Sequence, residues 1–297
     1  MNLFNYNIKN FRLALAASAF IAFSMSCTKS GNAVNFPESA SINIFNASHV
    51  YDSMGKTRNV YLSGLDTSAN HFPLSFVGYG SYEIPRSGSL DGIRIDWPMR
   101  FYDFPGGSQK IRFTDTTGIT VADTTLNFES GSYSSIYIAD DTAHFNSFLR
   151  NGTFRIFAFP ERKSVTAGKV RIRYIDLVTD IDTISGYIFT PSRDKFTSQA
   201  TPRKLLYGTA SDYYDIDTSG LTIQGQMLLR IFQRNDTINY KTQVAIPATP
   251  GRTYTVVLLG NAYDWNCSFA VKQPDGSVVR KMIRYPPGIK GYVRTVD

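Results

Sequence analysis

Cysteine is nearly missing from this chain. Two residues in 297, Cys27 and Cys267, allow at most one bridge, which excludes a disulfide-stapled framework and a zinc site built on cysteine pairs. The three histidines, His49, His71 and His144, show no metal-ligand spacing, so no metal and no cofactor is expected. Helical periodicity is almost absent, which argues against bundles and α/β folds. A long hydrophobic run is missing too: the uncharged stretch "LALAASAFIAFSM" has 13 residues, short of the roughly 20 that span a bilayer. No nucleic-acid motif and no basic stripe interleaved with aromatics is present, so no nucleic acid is expected as a partner.

What remains is an ordinary globular composition, 42% hydrophobic and 19% charged with 22 Gly and 13 Pro, in a chain long enough for about two domains with cores of their own. The net charge is +7, and from Cys27 onward, with Lys9 and Arg12 set aside, 29 basic residues face 24 acidic ones, a mild excess. It is enriched toward the C-terminus at Lys272, Arg280, Lys281, Arg284, Lys290 and Arg294. Such a cluster reads as a solvated tail.

At the other end, Lys9 and Arg12 precede the 13-residue apolar stretch, the layout of a secretory signal. "SMSC" follows, with small Ser26 before Cys27. These residues resemble a bacterial lipoprotein signal. The resemblance implies cleavage after residue 26, a lipid on the Cys27 sulfur, and an outer-membrane lipoprotein of the cell envelope. Acyl chains carry about 0.8 kcal/mol per buried methylene, so several on one residue hold a protein durably. "TKSGNAVNFPES" after it is polar and aperiodic, a flexible tether over 27–40. Thr28, Lys29 and Ser30 supply none of the acidic residues that surface-exported lipoproteins of this type carry after the cysteine, which favours the periplasmic face.

Beyond the tether the chain alternates with period two: "SINIFNAS", "RNVYLSG", "QKIRFTD", "SSIYIAD", "KVRIRYIDL" and "TYTVVLLGN", separated by Gly, Pro, Asn and Asp clusters. Short strands with turns every 8 to 12 residues or so predict antiparallel β-sandwiches. The pattern occurs twice in the same order. "SINIFNAS" is echoed by "RIRYIDLV", "LSFVGYGSYEIP" by "RKLLYGTASDYYDI", and "QKIRFTD" by "MLLRIFQ"; Ile42 precedes Tyr79 by 37 positions and Ile172 precedes Tyr207 by 35. Gly80 and Gly208 each follow a tyrosine at the same point, where the backbone turns or approaches another chain segment closely. The fold expected is all-β: a signal peptide over 1–26, then two tandem sandwiches over 41–162 and 168–297, with "PERKSVTAGK" at 160–169 as the linker.

"INIFNAS", "GYGSYEIP" and "FESGSYSSIYIAD" in the first copy, with "VRIRYIDL", "YGTASDYYDI" and "IPATPGRTYTVVLLG" in the second, resemble the bacterial domain-of-unknown-function family numbered 4397. The resemblance covers roughly residues 41–262. It implies secreted Ig-like modules in tandem and assigns no activity.

Candidate chemistry is sparse. Ser48, His49 and Asp52 are close in sequence, but strand neighbours point to opposite faces, so a hydrolytic triad is not expected and no catalytic residue is assigned. The same geometry separates Asp140 from Asp141. Asp212, Asp215 and Asp217 cluster without the spacing of a calcium loop, as turn formers do. Cys267 reads as a small buried thiol. Trp97 and Trp265, the two tryptophans, sit beside polar residues and could stack on sugar rings or pack a core. Asp-Ser/Thr followed by an apolar residue or Thr recurs at 52, 115, 123, 141, 182 and 236. It resembles the O-glycosylation acceptor of Bacteroidetes-type bacteria, and Asp-Thr also forms β-turns. The function expected is a lipid-anchored, non-catalytic binding or structural module of the envelope, held to the membrane by its N-terminal lipid, with a glycan or an envelope protein as partner. A glycan-binding accessory lipoprotein is the runner-up and a secreted hydrolase the third reading.

Overall fold

A strand with one face in the core alternates apolar and polar residues, whereas a strand covered on both faces is apolar nearly throughout. Both kinds occur here. A computed structural model describes residues 38–48, 50–51, 59–62, 71–72, 97–99, 101–114, 120–141, 154–163, 167–189, 203–220, 222–234, 236, 238–273 and 275–296. They belong to one compact unit, Glu38–Asp297. The signal, Cys27 and most of the tether lie outside the described residues, as does Gly80.

The first copy of the pattern supplies β1 (Ser39–Asn46), β2 (Asn59–Leu62), β3 (His71–Phe72), β4 (Trp97–Pro98), β5 (Tyr102–Pro105), β6 (Gly107–Thr114), β7 (Thr120–Phe128), β8 (Tyr133–Asp140) and β9 (Phe154–Glu161). The second supplies β10 (Val170–Thr179), β11 (Thr183–Phe189), β12 (Leu205–Leu206), β13 (Thr209–Ala210), β14 (Tyr214–Ile216), β15 (Thr222–Ile223), β16 (Gln226–Gln233), β17 (Tyr240–Pro247), β18 (Thr253–Asn261), β19 (Trp265–Lys272), β20 (Val278–Tyr285) and β21 (Gly288–Thr295). The fold is an all-β sandwich.

The core strands of the copies correspond, while β4 of the first copy joins the second copy's sheet and β19 and β20 have no counterpart in the first copy among the described residues. In the first, one sheet runs β5-β1-β8-β9 and the other β3-β2-β6-β7. In the second, one sheet runs β13-β10-β18-β21-β4 with β14 also on β10, and the other β12-β11-β16-β15 with β17 also on β16. Thus β10 stands where β1 stands, β16 where β6 does, β18 where β8 does and β21 where β9 does. Most pairings are antiparallel, but β1 with β8, β10 with β18, and β21 with the short β4 are parallel. After β1 or β10 the chain starts the facing sheet, returns once as an antiparallel edge strand (β5, or β13 and β14), completes the facing sheet, and comes back as β8 or β18 in the original direction.

Period two then sorts the side chains into three cores. Ile42, Ile44, Ile136 and Ile138 face Ile111 and Phe113 of the opposite sheet. Ile172, Tyr174, Val256 and Leu258 face Leu229, Ile231 and Val244 in the second copy. The alternate residues of the same strands, Phe45, Ala47, Tyr137 and Ala139 from one copy and Ile175, Leu177, Val257 and Leu259 from the other, pack against each other. The four sheets are therefore stacked in layers, and the inner two are buried on both faces. That accounts for the buried residues on both faces of β8 and β18, with "IYIA" and "VVLL" at their centres.

Two stretches depart from their sequence reading. Pro160 and Glu161, the start of the expected linker, are the last residues of β9, and Glu161 is buried. The basic C-terminal cluster is the strand set β19 to β21 rather than a tail, with Arg294 buried. Gly208 does both things its position suggests. Its φ is +74°, and a Cβ there would lie 2.5 Å from the Phe157 ring of the first copy, while its NH donates to Asp176 O at 2.7 Å. Gly208→Ala should destabilise the protein by about 1 to 3 kcal/mol through backbone strain and the displaced ring. Urea unfolding with a lowered midpoint and an unchanged slope is the expected result.

Candidate interaction surface and buried polar clusters

Arg171 and Arg173 occupy alternate positions of β10, among apolar residues. The pleat carries Arg173 into the layer between the two inner sheets, where it is 3% exposed. Its Nη2 donates to Glu161 Oε1 at 2.5 Å, its Nη1 to Pro160 O at 2.7 Å and its Nε to Thr255 Oγ1 at 3.3 Å. The other Glu161 oxygen, Oε2, accepts from Tyr213 Oη at 2.9 Å and from Thr255 Oγ1 at 3.1 Å. The guanidinium also lies 5.1 Å from the Tyr213 ring centroid. Each charge is neutralised and each carboxylate oxygen is bonded, the condition under which a buried ion pair is tolerated. Burial, then Glu161, pushes the Tyr213 phenol well above its ordinary pKa.

A second link joins the same layers. Arg294 of β21 donates from Nη2 to Asn43 Oδ1 at 2.7 Å and from Nη1 to Tyr137 Oη at 3.4 Å, and its guanidinium sits 4.4 Å from the Phe45 ring centroid. Tyr207 completes the seam: its hydroxyl donates to Asp140 O, and its ring meets Phe157 edge-on at 5.6 Å. Asp176, also on β10, is fully buried. Its Oδ1 accepts from Val178 NH at 2.9 Å, and its Oδ2 has no partner among the described residues. Burial outweighs that one bond and pushes its pKa up to about 8, so the carboxyl is neutral at neutral pH.

The residues singled out in the sequence go to separate places. Ser48 is buried, donates from its hydroxyl to the Asp140 carboxylate, and accepts from Tyr51 NH at 2.9 Å. It is a local cap, and His49 and Asp52 lie outside the described residues. Asp141 pairs with Arg155 at 3.3 Å, away from the Ser48–Asp140 bond. Asp215 takes a bidentate pair from Arg171, Nε at 2.6 Å and Nη2 at 2.8 Å. Asp217 accepts from Ser219 in a turn, and Asp236 accepts from the Ile238 and Asn239 amides in another. Among the described residues, Asp212 included, no three metal-ligating side chains converge. Cys267 is buried in the first core, and burial, then Asp140, raises its thiol pKa to about 12, so it stays protonated and unreactive. Trp97 opens β4, opposite Arg294 on β21, and Trp265 opens β19, opposite Tyr285.

The exposed surface with the most to offer lies in the basic C-terminal segment. There β19 and β20 form a two-stranded hairpin between β18 and β21. Cys267 and Tyr285 at its base enter the first core, while Val278, Val279, Arg280, Lys281 and Met282 are exposed. Arg284 pairs with Asp264, and Tyr263 is exposed beside the base. Apolar and cationic residues side by side in solvent suit binding better than folding. The strand's own sequence, "VVRKMIRY", runs in doublets of apolar and cationic residues and so carries no period-two signal. No protein-family model matches this sequence, and no curated protein matches it.

Two measurements follow from the buried groups. Glu161→Gln or Arg173→Met should each cost about 3 to 5 kcal/mol, because the partner is left charged and buried. The double variant Arg173→Met/Glu161→Leu should cost less than either single change, which a double-mutant cycle on urea unfolding measures directly. Asp176 sets a pH dependence. Below about pH 4 both folded and unfolded chains hold its proton, and its contribution is complete. From there to about pH 8 only the folded chain keeps it, so stability falls by about 1.4 kcal/mol per pH unit. Asp176→Asn should remove that part of the slope in unfolding midpoints taken from pH 4 to 8.

Proposed function

We propose that this protein is a non-catalytic module of the bacterial cell envelope, anchored through a lipid on Cys27 and built of tandem Ig-like sandwiches like those of the family of unknown function numbered 4397. The observation that carries this reading is the seam between the inner sheets. Arg173, Glu161, Tyr213 and Thr255 saturate one another's bonds, and Arg294 is held by Asn43 and Tyr137. Reactive side chains that are fixed in this way hold two sandwiches as one rigid support. A rigid support with an exposed hairpin is suited to presenting a binding surface at a fixed place above a membrane. Outer-membrane attachment on the periplasmic face, and a protein of the envelope as partner, complete the reading.

Metabolic labelling with an alkyne fatty acid tests the anchor. The native chain should carry label and fractionate with outer membrane, and Cys27→Ala should carry none and appear in the soluble fraction. Unlabelled native protein in the soluble fraction would refute the anchor. Protease treatment of whole cells should leave the chain intact if it faces the periplasm.

A further inference from the structure

An isolated two-stranded ribbon is marginal in water, and the distal half of β20 stands exposed on both its faces. Among the described residues neither strand of the hairpin pairs with a third. The ladder tells which backbone groups are free. Gln273 NH donates to Ser277 O at 2.7 Å, which sets the phase of the ladder, so every second pair behind it exchanges hydrogen bonds: Val271 with Val279, Phe269 with Lys281, and Cys267 with Ile283. The NH and C=O of Val278, Arg280, Met282 and Arg284 therefore point away from β19, along an open edge. Of the side chains on that row, Val278 is 59% and Met282 67% exposed. Arg280 and Lys281 are exposed as well and form no ion pair among the described residues.

Charge selects the occupant. A second copy is disfavoured: antiparallel two-fold pairing of β20 with itself, in the ladder phases that cover most of the strand, sets Arg280 opposite Arg280, Lys281 opposite Lys281, or Arg280 opposite Arg284. Like charges directly opposite destabilise a sheet. A lipid surface is disfavoured by the turn at the tip, where exposed Asp275 accepts from the amide and hydroxyl of Ser277 at 2.9 and 2.7 Å. Those bonds hold the carboxyl below its usual range, so the tip keeps its negative charge. An extended segment with acidic residues at alternate positions meets both demands, since its backbone completes the edge and its carboxylates, which share one face, meet Arg280, with Lys281 adding positive charge on the opposite face. We propose that the open edge of β20 binds an acidic, extended segment of a partner protein as a third strand. This rests on the reading of the protein as a binding module and supplies the class of its partner.

The test uses the full chain in detergent and a fluorescent peptide alternating glutamate with valine and threonine, titrated by anisotropy. The peptide should bind, and more weakly as salt is raised. Its analogue N-methylated at alternate residues should not bind. Arg280→Glu/Lys281→Glu and Met282→Pro should each weaken binding by at least about tenfold. Met282 donates nothing to β19, so proline there removes an edge NH and spares the hairpin ladder. Hydrogen exchange at the Val279, Lys281 and Ile283 amides verifies this, and if protection is lost the charge-reversed variant decides. Failure of the peptide to bind, or equal binding of the N-methylated analogue, overturns the proposal. Equal binding of dextran sulfate overturns it in favour of a surface that reads charge alone, and a dimer by light scattering in favour of a second copy. The fatty-acid labelling of Cys27 is independent of all these results, so loss of the anchor and loss of the strand site are told apart.

Discussion

Arg173 cannot be buried alone. A guanidinium held between two sheets at 3% exposure is stable only because Glu161 meets it at 2.5 Å and because Pro160, Thr255 and Tyr213 take up the remaining bonds of the pair. Glu161 ends the last strand of the first copy and Arg173 lies early in the first strand of the second. The pair therefore fixes where one sandwich ends against the other. The packing of Phe45, Tyr137, Ile175 and Leu177 around it, with Val257 and Leu259 from β18, contributes area. The ion pair contributes register, since an apolar face slides more easily than a network of directed bonds.

This constraint reaches the rest of the fold. Because the inner sheets meet face to face, β1, β8, β10 and β18 lose both faces to packing, and their parallel pairing places the inner strands at the centre of each sheet. Tyr207 and Gly208 can reach Phe157 and Asp140 only in that arrangement. Where the first copy joins β8 to β9 within a short span of chain, the second inserts β19 and β20 between β18 and β21. The insertion roots two residues, Cys267 and Tyr285, in the first copy's core and leaves its edge open.

Much of the architecture is legible in the chain. "KVRIRYIDL" and "TYTVVLLGN" read as strands because β-branched and aromatic residues alternate or run together, and the repeated order of segments foretells the matching sheets. The polar seam is not legible, since Arg173, Glu161, Tyr213 and Arg294 are far apart in sequence and look like ordinary surface residues. The one available hint is two arginines at alternate positions inside an apolar strand. The hairpin escapes a sequence reading for a related reason: a cluster of cations signals solvent, and it does so equally on a free strand edge and in an unstructured end.

The sequence by itself determined the all-β class, the recurrence of strand-like segments in one order and the aspartates that close turns, because side-chain period and turn chemistry are local properties of the chain. Only the tertiary structure decided that the copies stack through their inner sheets, that Arg173 and Arg294 are buried while Arg280 and Lys281 are not, and that Asp176 is neutral. Those outcomes depend on which faces meet, and a period of two tells that a strand has two faces without telling what covers each.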